Sequence, residues 1–218
     1  MPRATFFNLP ADKRQRIIEV ALEEFAERPY DQASISRVVS RLGIAKGSLY
    51  QYFDGKRELF TWLVEEAGRK KLEAVSATPP PTGADLYARL RWLYAQGLLF
   101  IAASPRWARV ALRSVEPSLD PEISRLRASS EAAAQAFLRE QLARGQEEGS
   151  VRGDLSLELV VPLVHGLLSE GLMRAFLARA GVTDPLDPAA QSLGREDALA
   201  VVDAALSLLE RGLRRGAP

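Results

Sequence analysis

Apolar residues recur along this chain at intervals of three and four from near one end to the other, the periodicity of helices that bury one face. Pro10 suits a first helical turn, after which Ile17, Ile18, Ala21, Leu22 and Phe25 repeat at helical spacing until Arg28 and Pro29. Ser34 can cap a second helix that turns Ile35, Val38, Val39 and Leu42 inward, with Gly43 as its left-handed stop. A third helix follows from about Ala45 to Phe53, and Asp54 then caps a longer fourth through Leu59, Leu63 and Ala67 to about Val75. The run SATPPPTGAD cannot continue a helix. Beyond it the pattern predicts helices near 84–103, 105–115, 121–148, 156–180 and 195–213, broken by EEGSVRGD and AGVTDPLDPAAQSLG. No segment alternates with the period of a strand, so the expected fold class is all-α.

Composition narrows the chemistry. With 218 residues, 47% of them hydrophobic, the chain can bury a full core, and two unequal domains are expected, 1–55 and 56–218. No continuous apolar run of membrane-spanning length occurs, and the first residues lack the apolar centre of a signal peptide, which predicts a cytoplasmic protein without a membrane partner. Zero cysteines exclude disulfides and thiolate metal sites, and one histidine cannot build a histidine cluster, so no metal or cofactor is expected. His165, in the apolar segment LVVPLVHGLLSEGL, reads as a core or interface residue. A net charge of +1 neither favours nor excludes nucleic acid, so any affinity for it must come from local patterning.

That patterning lies between residues 34 and 56. Two short helices joined by a turn at Gly43, the second rich in aromatics, describe a helix-turn-helix. At 100° per residue, Leu49 and Phe53 share the inner face of the third helix, while Gly47, Ser48, Tyr50 and Gln51 point outward with Lys46 and Tyr52 on the flanks. Gln51 suits adenine and Ser48 several base edges. Lys46, Tyr50, Tyr52, Lys56 and the hydroxyls of Ser34 and Ser36 are candidates for phosphates, and Arg37 for either role.

The stretch SISRVVSRLGIAKGSLYQYFDGKRELF resembles the DNA-binding signature of the TetR family of bacterial transcriptional regulators, over about residues 11 to 60. The resemblance implies a dimeric regulator with an N-terminal three-helix DNA-binding domain and a helical ligand-binding domain. It also implies that Ser34, Ser36, Lys46, Gly47, Ser48, Tyr50, Gln51, Tyr52 and Lys56 lie at or near DNA. Ala45 stands where the family often has a serine cap, a loss worth about 0.5–2 kcal/mol of helix stability.

In the remainder, Trp62, Tyr94, Leu98, Ile101, Trp107, Arg113, Phe137 and Met173 are candidates for a ligand pocket, although aromatics at helical spacing commonly form core. Arg106, Arg109 and Arg113 share one helix face, a solvated row or a cradle for an anion. The last two long helices are more apolar than a small monomer requires, which points to burial against a partner. By resemblance, Leu163, Leu167, Val201, Ala205 and Leu208 would form a four-helix homodimer interface. The expected function is a ligand-responsive repressor that binds a palindromic double-stranded operator as a dimer and is released by a small apolar effector, anionic and acyl-CoA-like if the arginine row faces inward. The alternative is a DNA-binding regulator gated by a protein partner or without a small-molecule ligand. No spacing of carboxylates suggests an enzyme's acid and base pair.

Overall fold

The computed structural model describes residues 1–214, which contain no strand. Helices α1 (Ala4–Phe7) and α2 (Ala11–Glu27) lead to a 3₁₀ turn at Tyr30–Gln32, then to α3 (Ile35–Leu42), α4 (Lys46–Tyr50) and α5 (Lys56–Ser76). Next come α6 (Leu86–Ala103), α7 (Pro105–Arg113) and α8 (Pro121–Glu147). Helix α9 (Leu157–Gly166) passes through a π-helical turn at Leu167–Gly171 into α10 (Leu172–Ala178), and a 3₁₀ turn at Pro188–Ser192 precedes α11 (Arg195–Leu213). Every long helix that the periodicity predicts is present. Three details escape it: the four-residue α1, the shortness of α4, and the π-helical turn, which follows Pro162 in a helix already lacking one ladder donor.

The chain packs as two compact units. The first joins Met1–Lys70 with Arg106–Ala128, and the second joins Lys71–Pro105 with the chain from Ser129 onward. The segment 1–55 lies wholly inside the first unit, which also takes in 56–70 and 106–128.

Aromatic rings fill the first unit. Phe6 lies 4.8 Å from Phe53 and 5.2 Å from Trp62, centroid to centroid, and Phe60 lies 5.1 Å from both Phe25 and Tyr30. Trp62 is therefore core of this unit, closed off by α1, and does not line a pocket in the second. The second unit buries Leu86, Leu90, Leu138, Leu142, Phe176 and Val202 among its core residues.

The segment Leu157–Ala178 is long and apolar enough to cross a membrane by length and composition, with mean hydropathy 1.3. Its apolarity has two other uses. Val161, Val164, Leu168, Leu172 and Phe176 recur at helical spacing and enter the second unit's core, and Leu159 and Leu163 stand outward, 71% and 75% exposed.

A close approach explains one glycine. A Cβ at Gly145, in the last turns of α8, would stand 2.7 Å from Val151 Cγ2 and 2.8 Å from Leu86 Cδ2, and both of those side chains are buried. Alanine favours a helix over glycine by about 1 kcal/mol, but here overpacking should win. Gly145→Ala is expected to destabilise the protein by about 1–3 kcal/mol, lowering Tm by roughly 2–4 °C per kcal/mol in a thermal melt followed by circular dichroism.

Candidate nucleic-acid interface

The turn between α3 and α4 is set by Gly43, whose φ of 68° is the left-handed conformation that a side chain would penalise by about 1–2 kcal/mol. Its N–H donates to the Ser40 carbonyl and that of Ile44 to the Val39 carbonyl, both at 3.1 Å, which closes α3. Helix α4 then begins at Lys46 without any side-chain cap, because Ala45 has no oxygen to offer. Leu49 and Phe53, 2% and 1% exposed, anchor it inward. Lys46, Gly47, Tyr50 and Gln51 are exposed and Ser48 half-buried, so these five form one outward face, as the spacing predicts.

Tyr52 departs from that prediction. Its ring is buried against Phe6, with centroids 6.2 Å apart, and does not flank the outward face. Helix α4 has ended by this point, so 100° spacing no longer applies, and α1 covers the residue. The Arg3 N–H donates to the Tyr52 carbonyl at 2.9 Å, and the Thr5 hydroxyl to the Gln51 carbonyl at 2.6 Å.

Two of the expected phosphate cations are engaged within the protein. The Lys56 ammonium donates to the carbonyls of Tyr30 at 2.9 Å and Ala33 at 3.2 Å, and sits 4.4 Å from the centre of the Tyr30 ring. It holds the turn before α3 closed. Arg37, though exposed, donates its Nε to Glu24 Oε1 at 2.8 Å and also reaches the Gln32 carbonyl. Ser34 makes no capping bond through its side chain; its amide donates to the same Glu24 oxygen at 2.9 Å. Ser36 is exposed. Among the expected cations, Lys46 thus remains on the open face.

Glu24 is the residue that the sequence reading missed. It is 1% exposed, and it also accepts from Arg28 at 3.2 Å. A signal was available: Ile17, Val20, Ala21 and Glu24 fall at i, i+3, i+4 and i+7, which puts a carboxylate in the inward stripe of α2. Burial pushes its pKa up, but hydrogen bonds from Arg37 and the Ser34 amide, with the charges of Arg37 and Arg28, outweigh burial and hold the group below its ordinary value of 4.5.

The remaining candidates divide between the units. Leu98 belongs to the second unit's core, with Tyr94, Ile101 and Met173 packed against it; Phe137 is 42% exposed. Trp107 and Arg113 lie in the first unit, Trp107 beneath the Lys70 ammonium at 5.2 Å. The arginine row is engaged within the protein. Arg106 pairs with Glu23 at 3.3 Å and Arg109 with Glu116 at 3.7 Å, while Arg113 binds Glu116 at 2.9 Å and donates to the carbonyls of Ala26 and Glu27. In the second unit, a cleft of about 170 Å³ opens beside Trp92, Leu99, Leu199 and Arg195. It falls short of the roughly 300–1,000 Å³ typical of drug-sized ligands. Of the expected interface residues, Leu163 and Leu208 are 75% and 65% exposed; Leu167 and Val201 are half-buried, and Ala205 is buried in the core of its own chain.

A helix-turn-helix with an open polar face, carried by an all-helical chain with a second helical unit, is the build of a DNA-binding transcriptional regulator. Comparison with known proteins gives the family. The profile of "Bacterial regulatory proteins, tetR family" matches residues 17–61. A TetR family transcriptional regulator from Chloroflexus aurantiacus is 33% identical, with 99% of this chain and 100% of that one covered and a TM-score of 0.83. The transcriptional repressor AcnR of Corynebacterium efficiens is 27% identical over 196 residues, 86% of this chain and 96% of its own. FadR from Bacillus subtilis, solved in complex with stearoyl-CoA, shares the fold at 20% identity, a TM-score of 0.65 and 92% and 99% coverage. The chain belongs to the TetR family of transcriptional regulators and is not an enzyme.

The lowered pKa of Glu24 gives a pH dependence of known sign. A carboxyl that is more acidic folded than unfolded contributes stability above the unfolded value, about 4.5, and that stability is lost as pH falls through the folded value. Glu24→Gln should cost about 1–3 kcal/mol at pH 7 and flatten the loss of stability between pH 5 and pH 3, read from urea midpoints across about that range.

Proposed function

We propose that the protein is a ligand-responsive repressor that binds a palindromic operator as a homodimer in the cytoplasm and is released by a small apolar effector. The observation that carries the DNA-binding part is the exposed polar face of α4 on a buried aromatic base. Gln51 and Ser48 meet base edges, while Lys46, Tyr50 and the Ser36 hydroxyl hold phosphates and Gly47 admits close approach of the backbone. The functional division is 1–55 for DNA and 56–218 for ligand and dimerisation.

One five-residue helix offers few base contacts, and two-fold pairing supplies the rest, with half-sites about 34 Å apart. Leu159 and Leu163 on α9, with Leu208 on α11, are the apolar side chains left uncovered for that pairing. The effector class is supported by the stearoyl-CoA complex of the B. subtilis FadR, which has the same fold. Helices α5 and α8 each run unbroken from residues of one unit into residues of the other, so a ligand that favours one arrangement of the second unit has a continuous route to the first. Coupling of about 1–3 kcal/mol would weaken operator binding about 5- to 150-fold.

Gln51→Ala should alter the selected operator consensus, with a loss of about 1–3 kcal/mol of discrimination at one position. Lys46→Ala should weaken binding to all sequences alike and lower the salt slope by about one unit. An in vitro selection in which Gln51→Ala leaves the consensus unchanged would remove α4 from the major groove. Glutamates at Leu163 and Leu208 together should give a monomer by sedimentation and reduce operator affinity at least about tenfold, since a single half-site then carries the binding.

A further inference from the structure

The cleft beside Trp92 lies wholly in the second unit and is assembled from two helix faces and a loop. Ala88, Trp92, Ala95 and Leu99 recur along one face of α6, and Arg195 and Leu199 stand one turn apart on α11. Thr78 and Pro81, from the connection between α5 and α6, form the third wall. The Trp92 indole N–H donates to the Thr78 carbonyl at 3.1 Å, which fixes both the ring and that wall. Size limits what can enter. At about 170 Å³ the cleft is close to the roughly 150 Å³ of an apolar cavity that binds benzene, so it has room for one ring and a small substituent.

Charge decides which substituent. Arg91 also lines the cleft, but it is held by Asp203, to which its Nε and Nη2 donate at 2.5 and 2.8 Å. Arg195 and the half-buried Gln96 line it too, and neither side chain has a hydrogen bond or ion pair among the described residues. With Arg91 neutralised by Asp203, Arg195 is the charge that the lining leaves uncompensated. A mainly apolar lining with a few convergent polar groups is the ordinary form of a small-molecule site. The planar fork of a guanidinium matches a carboxylate with two parallel hydrogen bonds, and the Gln96 amide adds a further donor. Arg195 and Thr78 are exposed, so the cleft opens to water and a ligand can enter without unfolding the unit.

We propose that this cleft is a binding site for a one-ring aromatic carboxylate, with the ring against Trp92 and Leu199 and the carboxylate on Arg195. The further step, that such an acid is the molecule that releases the operator, rests on the reading of the protein as a ligand-responsive repressor.

The test follows the indole N–H resonances of the full chain in heteronuclear NMR spectra during titration with benzoate, benzyl alcohol and acetate, beside operator binding by fluorescence anisotropy. Trp62 and Trp107 belong to the first unit, so movement of the Trp92 signal, assigned from Trp92→Phe, reports the cleft. Benzoate should shift that signal saturably and bind about five- to tenfold more tightly than benzyl alcohol, a modest factor because Arg195 is exposed to water, while acetate should leave the signal in place. Arg195→Met should bind benzoate and benzyl alcohol within about twofold of each other. Ala88→Leu, which fills part of the cleft and leaves Arg195 in place, should weaken both at least about fivefold while the circular dichroism stays that of the wild type. A Trp92 signal unmoved by benzoate, or a preference that survives in Arg195→Met, overturns the proposal. If benzoate occupies the cleft through Arg195 but leaves operator affinity unchanged at saturation, the site stands and its part in release falls. If another compound releases the operator equally from wild type and Arg195→Met while benzoate leaves Trp92 unmoved, the repressor reading stands and this site falls.

Discussion

A carboxylate withdrawn from water at Glu24 receives the Ser34 amide and the Arg37 and Arg28 guanidiniums, and by doing so it joins α2 to the start of α3. Burying a charge is costly unless it is paired and hydrogen-bonded, and here both conditions are met by groups from the elements whose crossing has to be held. Neighbouring ties extend the same hub. Lys56 draws the carbonyls of Tyr30 and Ala33 together, the Tyr30 hydroxyl donates to Asp120 at 2.9 Å, and Asp31 accepts from Ser118 and the Leu119 amide. The geometry of the helix-turn-helix depends on these contacts around residues 24 to 34. They also decide which cations remain open on the outer face.

This accounts for the fate of the arginines on α7. Their partners are Glu23, Glu116 and the carbonyls that end α2, so their charge attaches residues 106–128 to the first unit. A row of guanidiniums on one face looks like an anion cradle in sequence, but each guanidinium binds whichever acceptor the fold supplies at short range.

Helix positions were legible because burial of one face imposes a period, and the period survives in Val161, Val164, Leu168 and Leu172 as plainly as in Ile35, Val38 and Val39. The outward set from Lys46 to Gln51 was legible for the same reason. Tyr52 was not, because its placement depends on α1, whose four residues are too few to show a period. The engagement of Arg37 and Lys56 was hidden as well. Their acceptors lie 13 and 26 residues away on other elements, and sequence spacing carries no record of such pairings.

Helix α4 has only five residues, well under the roughly 12–15 that an isolated helix needs to hold its shape in water, and no side chain caps its N-terminus. Its order is borrowed from Leu49 and Phe53 beneath it and from α1, which grips the Gln51 and Tyr52 carbonyls just beyond its end. The conformational entropy of arranging Lys46, Ser48, Tyr50 and Gln51 on one backbone is therefore lost when the chain folds. If α4 is the helix that meets DNA, as proposed, it presents a preorganised surface whose backbone has little freedom left to surrender, and the affinity of each contact would be offset mainly by desolvation and by the side chains' own rotamers.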